Sequence, residues 1–131
     1  MSRLLLIVED SPQMAENLEM ALQALPELDI RVTGSGADAL RLLDGDGRRD
    51  VAAVITDLEM PTMTGFELIA RLRAHPRYRR TPIIVSSGSS DPDSPGRAQR
   101  LGADAYFVKP YSLAALRRKL EELIQETDPG D

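Results

Sequence analysis

The sequence contains no cysteine, no excess of positive charge and no long apolar run. The absence of cysteine among its 131 residues excludes thiol catalysis, iron–sulfur ligation and a disulfide framework. A formal net charge of −5 argues against general attraction to nucleic acid or to an anionic membrane. Apolar runs such as Leu4–Val8 are too short for a signal peptide or a membrane span. We therefore expect a soluble cytoplasmic protein that binds neither nucleic acid nor membrane directly.

Two glycine-rich phosphate-binding motifs are also missing. The sequence has no GxxxxGK[ST] motif, and no GxGxxG motif follows the first apolar run. Both absences disfavour a nucleotide-binding enzyme. The chain is nevertheless 42% hydrophobic, which is enough for a core in a domain of this length. We predict one domain over residues 1–126, followed by a polar tail at residues 127–131.

Short apolar segments recur along the chain and predict five strands. Four of them lack alternation, which is typical of parallel strands covered on both faces: Leu4–Val8, Val51–Ile55, Ile83–Val85 and Ala105–Val108. A fifth, Asp29–Thr33, alternates polar and apolar residues and predicts a half-exposed edge strand.

Helical patterns lie between and after these strands. Ser11 is a predicted N-cap with Pro12 in the first helical position, and Ser112 is predicted to cap the last helix. The fourth helix is interrupted by prolines and glycine, and we expect only a short, loosely held helix over Pro95–Leu101. The alternation of strands and helices predicts an α/β fold with a doubly wound parallel sheet.

In such sheets the ligand site lies beyond the carboxyl ends of the strands. The residues that follow the predicted strands carry carboxylates, hydroxyls and one ammonium group. They are Glu9, Asp10, Asp57, Ser86, Ser87 and Lys109.

The three acidic side chains would crowd together if their strands are adjacent, because neighbouring strands lie about 4.8 Å apart. Two like charges about 4 Å apart repel by about 4 kcal/mol at an effective dielectric constant near 20. Either the pKa of one acid rises or a cation neutralises the charges. For a cation, oxygen ligands without histidine or cysteine favour Mg²⁺. A phosphate on Asp57 would then meet the metal, Lys109 and the Ser87 hydroxyl, an arrangement suited to phosphoryl transfer.

Four segments resemble, in their order and spacing, the receiver domain of response regulators: Leu6–Asp10, Asp57–Gly65, Pro82–Ser87 and Lys109–Pro110. The resemblance covers about residues 3–124. The resemblance implies a CheY-like, flavodoxin-like domain with strand order 2-1-3-4-5 and five flanking helices. It further implies a phosphoprotein of a two-component phosphorelay that accepts its phosphoryl group from a histidine kinase or phosphotransfer protein.

The same resemblance implies a role for each site residue. Asp57 would be phosphorylated, and Mg²⁺ would be held by Glu9, Asp10, Asp57 and the backbone carbonyl of Glu59. Ser87 and Tyr106 would form the switch, Lys109 would pair with the phosphate, and Pro110 would follow a cis peptide bond. The signalling surface would combine the fourth helix, the fifth strand and the last helix, and would bind a downstream target or a second copy.

Two other functions remain open at this stage. One is a Mg²⁺-dependent phosphatase with Asp57 as nucleophile, although such enzymes carry a second aspartate where Glu59 stands. The other is a scaffold of the same fold that works without phosphorylation. Taken singly, each site residue also has an ordinary interpretation, such as an acid at a helix start or a solvated lysine.

Overall fold

The computed structural model describes residues 3–45 and 50–127, which form one five-stranded parallel sheet flanked by helices. The strands are β1 (Arg3–Val8), β2 (Leu28–Thr33), β3 (Val51–Thr56), β4 (Ile83–Ser87) and β5 (Ala105–Val108). The helices are α1 (Pro12–Leu22), α2 (Gly36–Gly45), α3 (Gly65–Ala74), α4 (Ser94–Leu101) and α5 (Leu113–Thr127). The strand order is β2-β1-β3-β4-β5, which confirms the predicted fold class and order.

The core consists of two apolar layers, one on each face of the sheet. Alternate residues of β1 point to opposite layers, because successive side chains of a strand leave opposite faces. Leu4 and Leu6 pack in the layer covered by α2, α3 and α4, whereas Leu5 and Ile7 pack in the layer covered by α1 and α5. Full burial on both faces explains why β1 lacks polar alternation.

The predicted caps of the first and last helices are confirmed. The Ser11 hydroxyl accepts a hydrogen bond from the backbone N–H of Met14 at 3.4 Å, with Pro12 as the first helical residue. The Ser112 hydroxyl accepts one from the backbone N–H of Ala115 at 3.1 Å. These bonds satisfy amide groups that a helix leaves free at its start.

The Ala105–Val108 segment forms β5, which lies at one edge of the sheet, as the expected order 2-1-3-4-5 implies. Tyr106 packs in the layer with α2, α3 and α4, and Phe107 packs in the layer with α1 and α5, so both faces of the strand are covered. The cover is partial, because Val108 is 51% exposed. The other edge, β2, was predicted correctly.

The fourth helix begins one residue earlier than predicted, at Ser94, and its two ends differ. At the amino end, Asp93 makes no side-chain capping bond. At the carboxyl end, Gly102 adopts a left-handed conformation with φ of 119°, and its carbonyl accepts hydrogen bonds from Arg73 at 3.0 and 2.8 Å. Ala98 is fully buried. The helix is therefore firmly anchored at its carboxyl end.

The described residues include the ends of α2 and α5 and the region of the predicted domain boundary. Helix α2 ends at Gly45, and residues 46–49 lie outside the described part. Helix α5 extends to Thr127, while residues 128–131 of the predicted tail also lie outside it. The domain boundary at residue 126 stays a prediction. Within residues 3–45 and 50–127, no helix has the length and apolarity needed to cross a membrane.

Candidate functional site

The site lies where β1 and β3, neighbours at the centre of the sheet, reach their carboxyl ends. Val8 pairs with Thr56 in the parallel register, and the backbone N–H of Asp57 donates to the Val8 carbonyl at 3.0 Å. The residues that follow the two strands, Glu9 and Asp57, therefore emerge side by side. Strand pairing alone brings together two acids that are 48 positions apart in the sequence.

Three carboxylates form the acidic cluster of this site: Glu9, Asp10 and Asp57. Each offers an oxygen atom, and these oxygens lie within 4.8 Å of one another. Glu9 and Asp57 are buried, whereas Asp10 is exposed. Because all ligands are carboxylate oxygens, the cluster suits a hard divalent cation such as Mg²⁺, and its exposed side leaves room for water.

Lys109 supplies a positive charge to this cluster from β5's end, two strands away from β3. Its ammonium nitrogen donates to Glu9 Oε1 at 3.0 Å and to Asp57 Oδ2 at 3.1 Å. The side chain of Lys109 is only 21% exposed. One ammonium therefore links the two buried carboxylates and compensates part of their repulsion.

The electrostatic environment changes the pKa of two of these groups. Burial raises the pKa of Glu9, and the hydrogen bonds from Lys109 and from the backbone of Ser11 only partly oppose it. Burial alone would lower the pKa of Lys109, but its hydrogen bonds to Glu9 and Asp57 and the charges of both acids together raise it. Lys109 therefore stays charged while it faces the carboxylates.

The second oxygen of Asp57 is held by the backbone of the loop that follows β3. Asp57 Oδ1 accepts from the N–H groups of Leu58 at 2.6 Å and Glu59 at 3.2 Å. Gly65 lies directly against this segment, since an added Cβ there would be 2.2 Å from the Asp57 carbonyl oxygen. The carboxylate is thus fixed in orientation, while the side chain of Glu59 is exposed.

Ser87 and Tyr106 lie on the neighbouring strands β4 and β5. Ser87 is fully buried at the end of β4, and its hydroxyl accepts from the backbone N–H of Ser89 at 3.0 Å. Tyr106 is half-buried against the α2–α4 side of the core. Its hydroxyl is shielded from solvent and has no hydrogen-bond partner among residues 3–45 and 50–127. The Lys109–Pro110 peptide bond is cis.

Tyr111 is a residue near the site that the sequence analysis did not identify. Its hydroxyl lies 2.7 Å from the Oγ atom of Ser86, one position before Ser87. The signal available in the sequence was its place directly after Lys109 and Pro110, which carries it to the same edge of the sheet.

These features define a class of protein: a doubly wound α/β domain with a lysine-linked acidic cluster at the carboxyl ends of its central strands. The family model described as "Response regulator receiver domain" matches residues 5–121. The chain belongs to this family, the CheY-like receiver domains of two-component signalling systems.

Two chemotaxis proteins are among the similar proteins of known name. A CheY homolog of Campylobacter jejuni is 33% identical over 120 residues, covering 92% of this chain and 91% of the relative. CheY1 of Helicobacter pylori is 32% identical over 124 residues, covering 95% and 98%.

Solved structures show the same similarity. The receiver domain of a signal transduction histidine kinase from Syntrophus aciditrophicus has a TM-score of 0.86 at 29% identity, covering 99% of this chain and 96% of that one. The receiver domain of sensor histidine kinase PA1611 from Pseudomonas aeruginosa has a TM-score of 0.82 at 26% identity, covering 95% and 99%. In that structure a magnesium ion is coordinated in the active-site cleft.

Proposed function

We propose that this domain is a phosphoacceptor switch in which Asp57 takes a phosphoryl group from the phosphohistidine of a histidine kinase or phosphotransfer protein. The observation that carries the proposal is the contact of one ammonium group, Lys109 Nζ, with two buried carboxylates, Glu9 and Asp57. Such a site combines a nucleophile with charges that can stabilise an incoming anion, and phosphoryl transfer depends mainly on this positioning.

The acidic cluster suits a metal ion because its potential ligands are all carboxylate oxygens. Glu9, Asp10 and Asp57 would hold Mg²⁺, together with the backbone carbonyl of Glu59. The ion would supply neutralising charge for the phosphoryl oxygens. The magnesium ion reported for the similar PA1611 receiver domain supports this assignment.

The protein's own side chains have distinct tasks in the transfer. An oxygen of Asp57 forms the new bond to phosphorus as the bond from phosphorus to the imidazole nitrogen breaks, and the electron pair leaves with the imidazole. Lys109 then pairs with the phosphoryl group, which carries about −1.5 to −2 charges in place of the single charge of the Asp57 carboxylate. The Ser87 hydroxyl donates to a phosphoryl oxygen. Later attack by water on phosphorus releases inorganic phosphate and restores the Asp57 carboxylate. Because the domain acts only on its own Asp57, it is a signalling switch and not a turnover enzyme.

The output of the switch is proposed to act through the surface formed by α4, β5 and α5. Ser87 at the end of β4 would move toward the phosphate, and Tyr106 on the adjacent strand would turn inward in response. The Tyr106 hydroxyl has no hydrogen-bond partner among the described residues, and Asp93 forms no side-chain cap to the described part of α4. Both features support a surface with more than one arrangement. A downstream protein or a second copy would bind the arrangement that phosphorylation favours.

Incubation with acetyl phosphate and Mg²⁺, followed by intact-mass analysis, tests the proposal. We expect a single phosphoryl adduct that requires Mg²⁺ and is absent in Asp57→Asn. Repeated turnover of a small phosphate ester, prevented by the same substitution, would instead favour the phosphatase. No adduct from either acetyl phosphate or a phosphorylated kinase would favour the scaffold.

A further inference from the structure

A hydrogen bond between two side chains connects β4 to the loop that carries Lys109. The hydroxyl of Tyr111 lies 2.7 Å from Oγ of Ser86, which is only 1% exposed. The ring of Tyr111 also contacts Phe107 of β5, with 5.6 Å between ring centroids. Tyr111 is therefore held at its hydroxyl and along its ring, in a position two residues after Lys109.

Lys109 lies between two points of attachment to β4. Its own backbone N–H donates to the Ser87 carbonyl at 2.8 Å, as the last bond of the β4–β5 ladder. Beyond Pro110, the next attachment is the bond from Tyr111 to Ser86. The backbone that directs the ammonium toward the carboxylates is thus fixed before and after the lysine.

Ser86 and Ser87 point to opposite sides of the sheet, because they are consecutive residues of one strand. Ile84, two residues before Ser86, packs in the layer with α1 and α5, and Tyr111 packs against the same layer. Ser86 is therefore directed toward Tyr111 and away from the side to which Ser87 points. Its hydroxyl is available to hold the loop and is not needed for the phosphoryl group.

We infer that Tyr111 and Ser86 form a positioning pair that keeps Lys109 aligned with the anion site and so sets the affinity of the domain for a phosphoryl group. The inference rests on the proposed function, because it concerns the same site. Lysine is long and flexible, and hydrogen bonds weaken steeply as distance and angle depart from their optimum. If the loop were loosened, the ammonium group of Lys109 would also occupy positions from which it cannot donate a hydrogen bond to the anion.

The substitution Tyr111→Phe removes the hydroxyl and keeps the ring. The measurement is an NMR titration with beryllofluoride, a mimic of the phosphoryl group, at saturating Mg²⁺, with a separate titration by Mg²⁺ alone. We expect beryllofluoride binding to weaken about 3- to 10-fold, the effect of losing one neutral hydrogen bond. Mg²⁺ affinity should stay the same or rise slightly, because a loosened Lys109 competes less for Glu9 and Asp57. General structural damage would weaken both.

Ser86→Ala should reproduce the effect, and the double variant should be no weaker than either single variant, since both remove the same bond. Tyr78→Phe is the matched control: it removes another phenolic hydroxyl, which bonds the Leu43 carbonyl at 3.4 Å in a different part of the core. This control should leave both affinities unchanged.

Three results would overturn the inference. In the first, Tyr111→Phe binds beryllofluoride as tightly as the parent chain; in the second, it loses affinity for Mg²⁺ and the anion alike; in the third, the effects of Tyr111→Phe and Ser86→Ala add in full. If the parent chain itself binds no beryllofluoride in the presence of Mg²⁺, the proposed function fails and this inference fails with it.

Discussion

Replacing Lys109 with methionine removes the only positive charge that the described structure places against Glu9 and Asp57. Methionine keeps most of the apolar stem but cannot donate to either carboxylate. Both acids are more than nine-tenths buried, so water does not readily replace the lost ammonium. We expect Lys109→Met to destabilise the fold near neutral pH in the absence of divalent cations.

The size of the effect follows from the burial of the groups. Breaking a buried ion pair by removing one partner costs about 3–5 kcal/mol, whereas an exposed pair contributes about 0–1 kcal/mol. The Lys109 side chain is one-fifth exposed, and Glu9, whose pKa is already raised by burial, can relax by taking up a proton. We therefore expect the free energy of unfolding to fall by about 2–3 kcal/mol.

The effect should depend on pH in a defined direction. The raised pKa of Glu9 contributes stability that is present below its usual value of 4.5 and is lost as pH rises through the folded value. Removing Lys109 removes interactions that lower this pKa, so the folded value rises further and more stability is lost. The difference between variant and parent should therefore be largest near neutral pH and should shrink on acidification.

Urea unfolding monitored by far-ultraviolet circular dichroism measures this difference, at neutral and acidic pH and with or without Mg²⁺. A divalent cation should stabilise the variant more than the parent, since it would neutralise the uncompensated acids. Lys119→Met is the matched control, because the contact of Lys119 with Glu122 at 3.8 Å is exposed. A loss for Lys109→Met no greater than the control, or independent of pH, would refute the reasoning.

Two further substitutions test the backbone of the loop after β3. Thr62 has a φ of 65°, a region that disfavours β-branched residues, so Thr62→Asn should raise the free energy of unfolding by about 0.5–1 kcal/mol; a decrease in the urea midpoint would contradict this. Gly65→Ala should lower it by about 2–3 kcal/mol, because the new methyl group would overlap the Asp57 carbonyl. Gly34→Ala has open space around the added atom and should change stability by less than about 0.5 kcal/mol; equal effects at the two glycines would exclude the steric explanation.

Much of the site's location could be predicted because it depends on strand ends. Glu9 and Asp57 follow unbroken apolar runs, and any parallel arrangement of those runs brings their carboxyl ends to one edge. The partial exposure of β5 could not be predicted in the same way. Apolar residues indicate that a segment contacts the core, but they do not tell how completely helices cover it.

The contacts of Arg73 illustrate what local patterns leave out. Its guanidinium donates to the carbonyls of Tyr78, Thr81 and Gly102 and to the carboxylate of Asp104. Nothing in the helical periodicity of α3 distinguishes this arginine from the exposed Arg71. Its role depends on two separate loops, the one between α3 and β4 and the one between α4 and β5, which meet at one end of the helix.

The sequence by itself determined the order of strands and helices, the caps at Ser11 and Ser112, and the edge of the sheet at which acids and lysine would gather. These features depend on which residues of a short segment are apolar and on the backbone conformations that its residues prefer. Both properties belong to the segment itself and do not require the rest of the fold. Only the tertiary structure decided that one ammonium bonds both Glu9 and Asp57 and that Tyr111 reaches Ser86. Such contacts depend on strand register and side-chain rotamers across distant segments, and these become defined only when the core packs.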